Sequence, residues 1–127
     1  MPIHFLNVDL EIESHDPLNT IVEAFGEDVI NLYCGEAHNH QLATFEIAKS
    51  SCVGDADTLI GYFCILIDCL EGDAKTLWDN AFRKEFNIGY ESDLEPESYE
   101  SNLRPSTITR IADVGASIRI TIYPPGN

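Results

Sequence analysis

The sequence of 127 residues predicts an α+β fold: a two-layer sandwich whose mainly antiparallel sheet carries about three helices on one face. Three observations predict it. Strand-like stretches outnumber helical ones and follow the order β-α-β-β-β-α-β-α-β. Several of those strands have one polar face, which suits an antiparallel sheet wetted on one side. Apolar residues make up 44% and charged residues 23%, near the averages of globular chains, so residues 1–127 read as a single domain.

The opening stretch alternates. Leu6, Val8, Leu10 and Ile12 face one way and Asn7, Asp9, Glu11 and Glu13 the other, a half-buried strand with an acidic outer face. Asp16-Pro17 supplies an N-cap and a first-turn proline for a helix in which Leu18, Ile21, Val22 and Phe25 recur at helical spacing. Gly26 is placed to close it. Val29–Cys34 and Gln41–Ala48 read as strands joined by a loop from Gly35 to His40, and Ser50–Ala56 as a further loop. The apolar run Leu59–Leu70 fits a core strand or a buried helix; Ile60, Tyr62, Phe63, Ile65 and Ile67 favour a strand buried on both faces.

Asp73 then caps a helix with Ala74, Leu77, Trp78, Ala81 and Phe82 on its inner face, which makes Trp78 a core residue. Phe86, Ile88 and Tyr90 alternate with polar residues and glycine in the next strand, and Ser92–Arg104 is a polar, acidic loop. Ser106 caps a third helix with Ile108, Ile111 and Ala112 inward and Gly115 as its stop. A closing strand sets Ile118, Ile120 and Ile122 inward against Ser117, Arg119 and Thr121, and Pro124-Pro125 ends it.

Charge is the unusual quantity. Seven Lys and Arg against 22 Asp and Glu give a net charge of −15. Such a surface repels DNA, RNA and anionic membranes, which argues against direct nucleic-acid or membrane binding. No Lys or Arg precedes Lys49, while nine acidic residues lie between Asp9 and Glu46. A second concentration, Glu91, Asp93, Glu95, Glu97 and Glu100, is interleaved with Tyr90, Leu94 and Tyr99. Acidic runs are usually solvated surface that keeps a domain soluble. An imbalance across the whole chain points further, because self-repulsion costs stability that a cationic partner relieves, and opposite charge speeds encounter. The expected contact residues are Asp9, Glu11 and Glu13 on the first strand, together with Tyr90, Glu91, Asp93, Glu95, Glu97, Tyr99 and Glu100. The tyrosines would be the anchors.

The N-terminal residues show no basic stretch followed by a long apolar run, so a cytoplasmic location is expected. Cys34, Cys52, Cys64 and Cys69 contain no Cys-x-x-Cys pair and read as buried thiols of a reducing compartment. Cys34, His38 and His40 form a Cys-x3-His-x-His set beside Glu36, with the ligand types for zinc and the pairing for a nucleophile and its base. Its spacing matches no standard finger, and histidines in a surface turn are the plainer reading. The set carries the alternative function, a small metal-binding protein or enzyme. A homo-oligomeric domain that buries an exposed sheet face against its own copy is the other. His4 and His15 read as solvent-facing. Nucleophile elbow, phosphate loop and dinucleotide glycine patterns are lacking from the sequence, and no cofactor is expected.

Two stretches, Phe86-Asn87-Ile88-Gly89-Tyr90 and the tail from Ser106 to Tyr123, resemble the end of a widespread bacterial family of unknown function. Small size, acidity and lack of catalytic motifs are similar to the immunity proteins that neutralise bacterial toxins, including those of contact-dependent growth inhibition. That second resemblance is one of character, without a shared motif. It implies a cytoplasmic, non-enzymatic protein that binds one cognate toxin, often a basic nuclease, and it carries over no catalytic residue.

Overall fold

The alternating N-terminal stretch becomes the middle of the sheet. In the computed structural model, which describes residues 3–95 and 97–126, it forms β1 (His4–Ser14). The elements that follow are α1 (Asn19–Phe25), a single 3-10 turn at Gly26–Asp28, β2 (Val29–Ala37), β3 (His40–Ile47), α2 (Ala56–Asp68) and α3 (Gly72–Asn80). β4 (Arg83–Glu91), α4 (Pro105–Asp113) and β5 (Ser117–Tyr123) complete the chain. The fold is α+β, a five-stranded sheet in the order β2-β3-β1-β4-β5. All neighbours are antiparallel except β4 and β5, which run parallel.

Period-two patterning decides which face is covered. Val8, Leu10 and Ile12 of β1, Ala43, Phe45 and Ile47 of β3, and Phe86 and Ile88 of β4 are buried on one face beneath the helices. The opposite face carries Asp9, Glu11 and Glu13 in register with Glu46, Thr44 and Leu42 of β3. Leu6 does not join the core as its alternation predicts. The β1–β4 register shifts between Phe5 and Asn7, which puts Phe5 opposite Tyr90 and leaves Leu6 exposed.

The run Leu59–Leu70, fitted to a strand or a helix with the strand favoured, is helical as far as Asp68. It belongs there to α2, whose N-cap Asp55 accepts the Thr58 amide at 2.9 Å. Ile60, Phe63, Cys64 and Ile67 form its buried stripe at helical spacing, while Ile65 and Asp68 face solvent. Among the described residues, four α-helices and five strands therefore replace the expected three and six. Helix starts also move. α1 begins after Leu18 with no side-chain cap, and Ser14 Oγ instead accepts the Asp16 amide at 3.1 Å. α3 starts at Gly72 rather than at an Asp73 cap. α4 starts on Pro105, with no cap from Ser106. Ile111 is buried as expected, but Ile108 and Ala112 point to solvent, and Thr107 and the C-cap residue Val114 take their places on the inner face. The loop foreseen at Gly35–His40 shrinks to a two-residue turn in which His38 and Asn39 both have positive φ (53° and 70°), the geometry that matches hairpin twist.

Gly26 and Gly115, at φ of 60° and 75°, end α1 and follow α4 as their positions imply. Trp78 is buried as expected, and its Nε1–H donates to the Val114 carbonyl at 3.0 Å, tying α3 to the end of α4. Phe82, expected inside, is half exposed and packs on His15 and His40. Replacing Trp78 by Phe keeps an aromatic ring but removes the donor and some volume. Urea unfolding should show a loss of roughly 2–3 kcal/mol; a loss under about 0.5 kcal/mol would mean that this hydrogen bond does not tie the helices together.

Candidate interaction site at the edge strand

Parallel pairing of β5 with β4 sets Ile118, Ile120 and Ile122 in register with Phe86, Ile88 and Tyr90. The three isoleucines thus continue the apolar face of the sheet, as their alternation predicts, yet they are 39%, 62% and 62% exposed. The expectation that they enter the core is corrected because the helical layer ends before it reaches them: α2 packs on β1 and β3, and α4 lies on α2. The bare strand forms the floor of a groove of about 330 Å³ together with Ile88 and Tyr90. Tyr99, Ser101 and Leu103 form its wall. That wall is the acidic segment between β4 and α4.

Two interactions hold the wall in place. Tyr99 packs edge-on against Tyr90 with ring centroids 5.4 Å apart. Further along, Asp57 in the first turn of α2 accepts the Arg104 amide at 2.8 Å and Arg104 Nε–H at 2.9 Å. Burial by itself would raise the Asp57 pKa, but these donors and the Thr107 hydroxyl together hold it below the ordinary aspartate value. A carboxylate that is fully ionised and almost fully buried is an anchor with strong geometric demands.

The expected contact residues divide into four groups. Glu95, Glu97 and Glu100 are exposed on or beside the wall, and Tyr99 is partly exposed on it. Tyr90 is buried between Phe5 and Tyr99 and adds only a small part of its ring to the floor of the groove. Glu91 faces His4 at 3.3 Å and accepts the Gly126 amide at 3.2 Å, while Asp93 accepts the Leu94 amide at 2.7 Å. Asp9, Glu11 and Glu13 lie on the open sheet face, where Glu11 and Glu13 are already engaged. Arg83 binds Glu11 at 3.0 Å, Glu85 at 2.8 Å and Glu13 through a short contact; Arg119 of β5 binds Glu11 at 2.6 Å and Glu85 at 2.7 Å. His40 lies 2.6 Å from Glu13. Burial pushes the Glu13 pKa up, but Arg83 and His40 outweigh it and bring it below the usual glutamate value.

Asp9 lacks such a cation. Burial, then repulsion from Glu46 and Glu11, raises its pKa from 3.8 to about 6. The side-chain amide of Asn7 bridges the pair, donating to Glu46 at 3.1 Å and to Asp9 at 3.3 Å.

Cys34, His38 and His40 do not assemble. Cys34 is opposite Ala43 on the helix-covered face and packs against the core, whereas His40 points to Glu13 on the open face and His38 sits in the turn. Among the described residues no group of three or more His, Cys, Asp or Glu side chains is placed to hold a metal ion. All four cysteines are free thiols, and burial pushes the Cys64 thiol up to about 11, far from a reactive thiolate. Sequence reasoning missed the groove, since nothing local marks β5 as an edge, and it missed Asp57, whose partner lies 47 residues away. No helix among the described residues is long and apolar enough to cross a membrane. No protein-family model, curated protein or solved structure matches the chain.

Two outcomes follow from this geometry. Asp57→Ala leaves the inward-facing Arg104 amide without its acceptor, so stability should fall by about 2–3 kcal/mol and amide exchange across residues 98–104 should quicken most. A uniform change over the whole chain would contradict the anchoring role. For Asp9 the sign is opposite to that of a paired carboxylate. Its folded pKa exceeds its unfolded value, so its contribution is fully present below about pH 4 and is lost as pH rises toward 6. Asp9→Asn should therefore be more stable than the parent above about pH 6, by roughly 1 kcal/mol after solvent screening, with the advantage vanishing near pH 4. Urea midpoints at the two pH values test this.

Proposed function

We propose that the protein is a non-enzymatic binding module of the immunity type, which neutralises a basic toxin by covering its substrate-binding surface. The observation that carries this reading is the apolar groove walled by the segment that bears the exposed Glu95, Glu97 and Glu100. An apolar centre with a charged rim is the usual anatomy of a protein-binding surface. The charge balance supports a cationic partner. Five of the seven Lys and Arg side chains are within ion-pair distance of the protein's own carboxylates, so few internal cations remain to offset the wall. A toxic nuclease fits the demand, because a surface built to grip phosphates also accepts a dense array of carboxylates. Resemblance in size and acidity to immunity proteins supports the same reading and, with it, action in the cytoplasm.

The test is to search the neighbouring genes for a basic toxin domain and to measure its association with this protein; neighbours that encode no such domain would count against the reading. Changing Glu95, Glu97 and Glu100 together to glutamine should slow association about tenfold at low salt, with the two rates converging as salt rises. Equal stopped-flow rates for parent and variant at both salt extremes would sink the assignment of the wall as the steering surface.

A further inference from the structure

The sheet has two edges, and the chain treats them differently. On the β2 edge the register shifts between Asn31 and Tyr33. The Asn31 side-chain amide donates to the Tyr33 carbonyl at 2.8 Å and to the Thr44 carbonyl at 3.1 Å, and the Tyr33 hydroxyl donates to the Glu36 carbonyl at 2.6 Å. A bulge and side chains bonded back to the backbone are standard protections against pairing with another strand. The seven residues of β5 show no register shift, no proline and no lysine, and the Ser117 hydroxyl bonds only inward, toward the Lys84 carbonyl and Glu85 of β4. Its one charged residue, Arg119, is turned to the open face and held by Glu11 and Glu85. Among the described residues the β5 edge is therefore regular, unpaired on its outer side and flanked by the bare isoleucines of the groove.

We propose that the β5 edge receives an extended segment of the partner as a sixth strand, one in which apolar residues alternate with Lys or Arg. This rests on the binding-module reading and specifies how the partner engages. Main-chain hydrogen bonds to an edge supply affinity, and alternate side chains supply specificity. Side chains on the helix side extend the floor made by Ile118, Ile120 and Ile122. Side chains on the other side join the open face, which carries Asp9, Glu11, Glu13, Glu46 and Glu85 against the guanidiniums of Arg83 and Arg119, with Glu85 on β4 the carboxylate nearest the edge. The net charge of −15 favours a cationic strand over a second copy of this acidic chain.

The probe is a synthetic peptide of alternating valine and lysine with blocked ends, titrated into the intact protein and followed by amide exchange and NMR. The expected result is new protection at outward amides within Ser117–Tyr123. A peptide of the same sequence, N-methylated on the residues that would pair, should bind about tenfold more weakly or worse, although its charge and side chains are unchanged. Equal binding of both peptides without protection at β5 would overturn strand addition while leaving the groove as a docking surface. Absence of binding by either peptide would also overturn strand addition, and the toxin-domain kinetics then judge the binding-module reading separately. Concentration-dependent protection of β5 in the protein alone, with dimers in sedimentation, would assign the edge to a second copy and overturn the proposal.

Discussion

The grip of Asp57 on Arg104 organises the half of the molecule that faces a partner. A parallel neighbour cannot be reached by a tight hairpin, so the chain must leave the end of β4, recross the sheet and return as β5. Much of that passage is irregular and acidic, and such a segment does not pack by hydrophobic burial alone. A carboxylate in the first turn of α2 accepts the backbone amide and guanidinium of Arg104 just before α4 begins, and Thr107 adds a further donor. This fixes the start of α4 on α2, and with it the path into β5. Both the floor and the wall of the groove descend from that one buried charge.

The scarce cations serve a related purpose. Arg83 and Arg119 project from β4 and β5 and join three glutamates across the open face, so that strands from the middle to the edge of the sheet are bound through side chains as well as backbone. Such partly exposed pairs contribute modestly one by one, and more as a network. Lys84 is used differently: it lies 5.4 Å from the Trp78 ring centroid and donates to the Trp78 carbonyl at 3.0 Å. Spending positive charge on internal order leaves the wall acidic, and the excess at Asp9 and Glu46 is accommodated by a shifted proton affinity and by Asn7.

How much of this was legible depends on how far apart the cooperating residues lie. Alternation marked β1, β4 and β5, and the spacing of Leu18, Ile21 and Phe25 with a glycine stop marked α1. α2 was misread because Ile, Tyr and Phe favour strands, although Asp55 and Thr58 at capping distance and the stripe from Ile60 to Ile67 were already in the sequence. The acidic wall could be named from Glu95, Glu97, Tyr99 and Glu100. Its apolar counterpart could not, because the exposure of Ile120 depends on strand order and on where the helices stop. Tyr90 and Tyr99 were read alike, yet alternation within β4 turns Tyr90 inward while Tyr99 stays at the surface.

β1 holds the centre of the sheet, yet it is the first strand in chain order. Its partners β3 and β4 lie about 30 and 75 residues further along. During synthesis it therefore waits, apolar on one side, for β3 to cover one edge, and its other edge stays unpaired until most of the chain has emerged. Carboxylates at every second position are what discourages such a stretch from joining its neighbours in the meantime. Asp9, Glu11 and Glu13 thus have work to do before the sheet exists, guarding a newborn strand against aggregation.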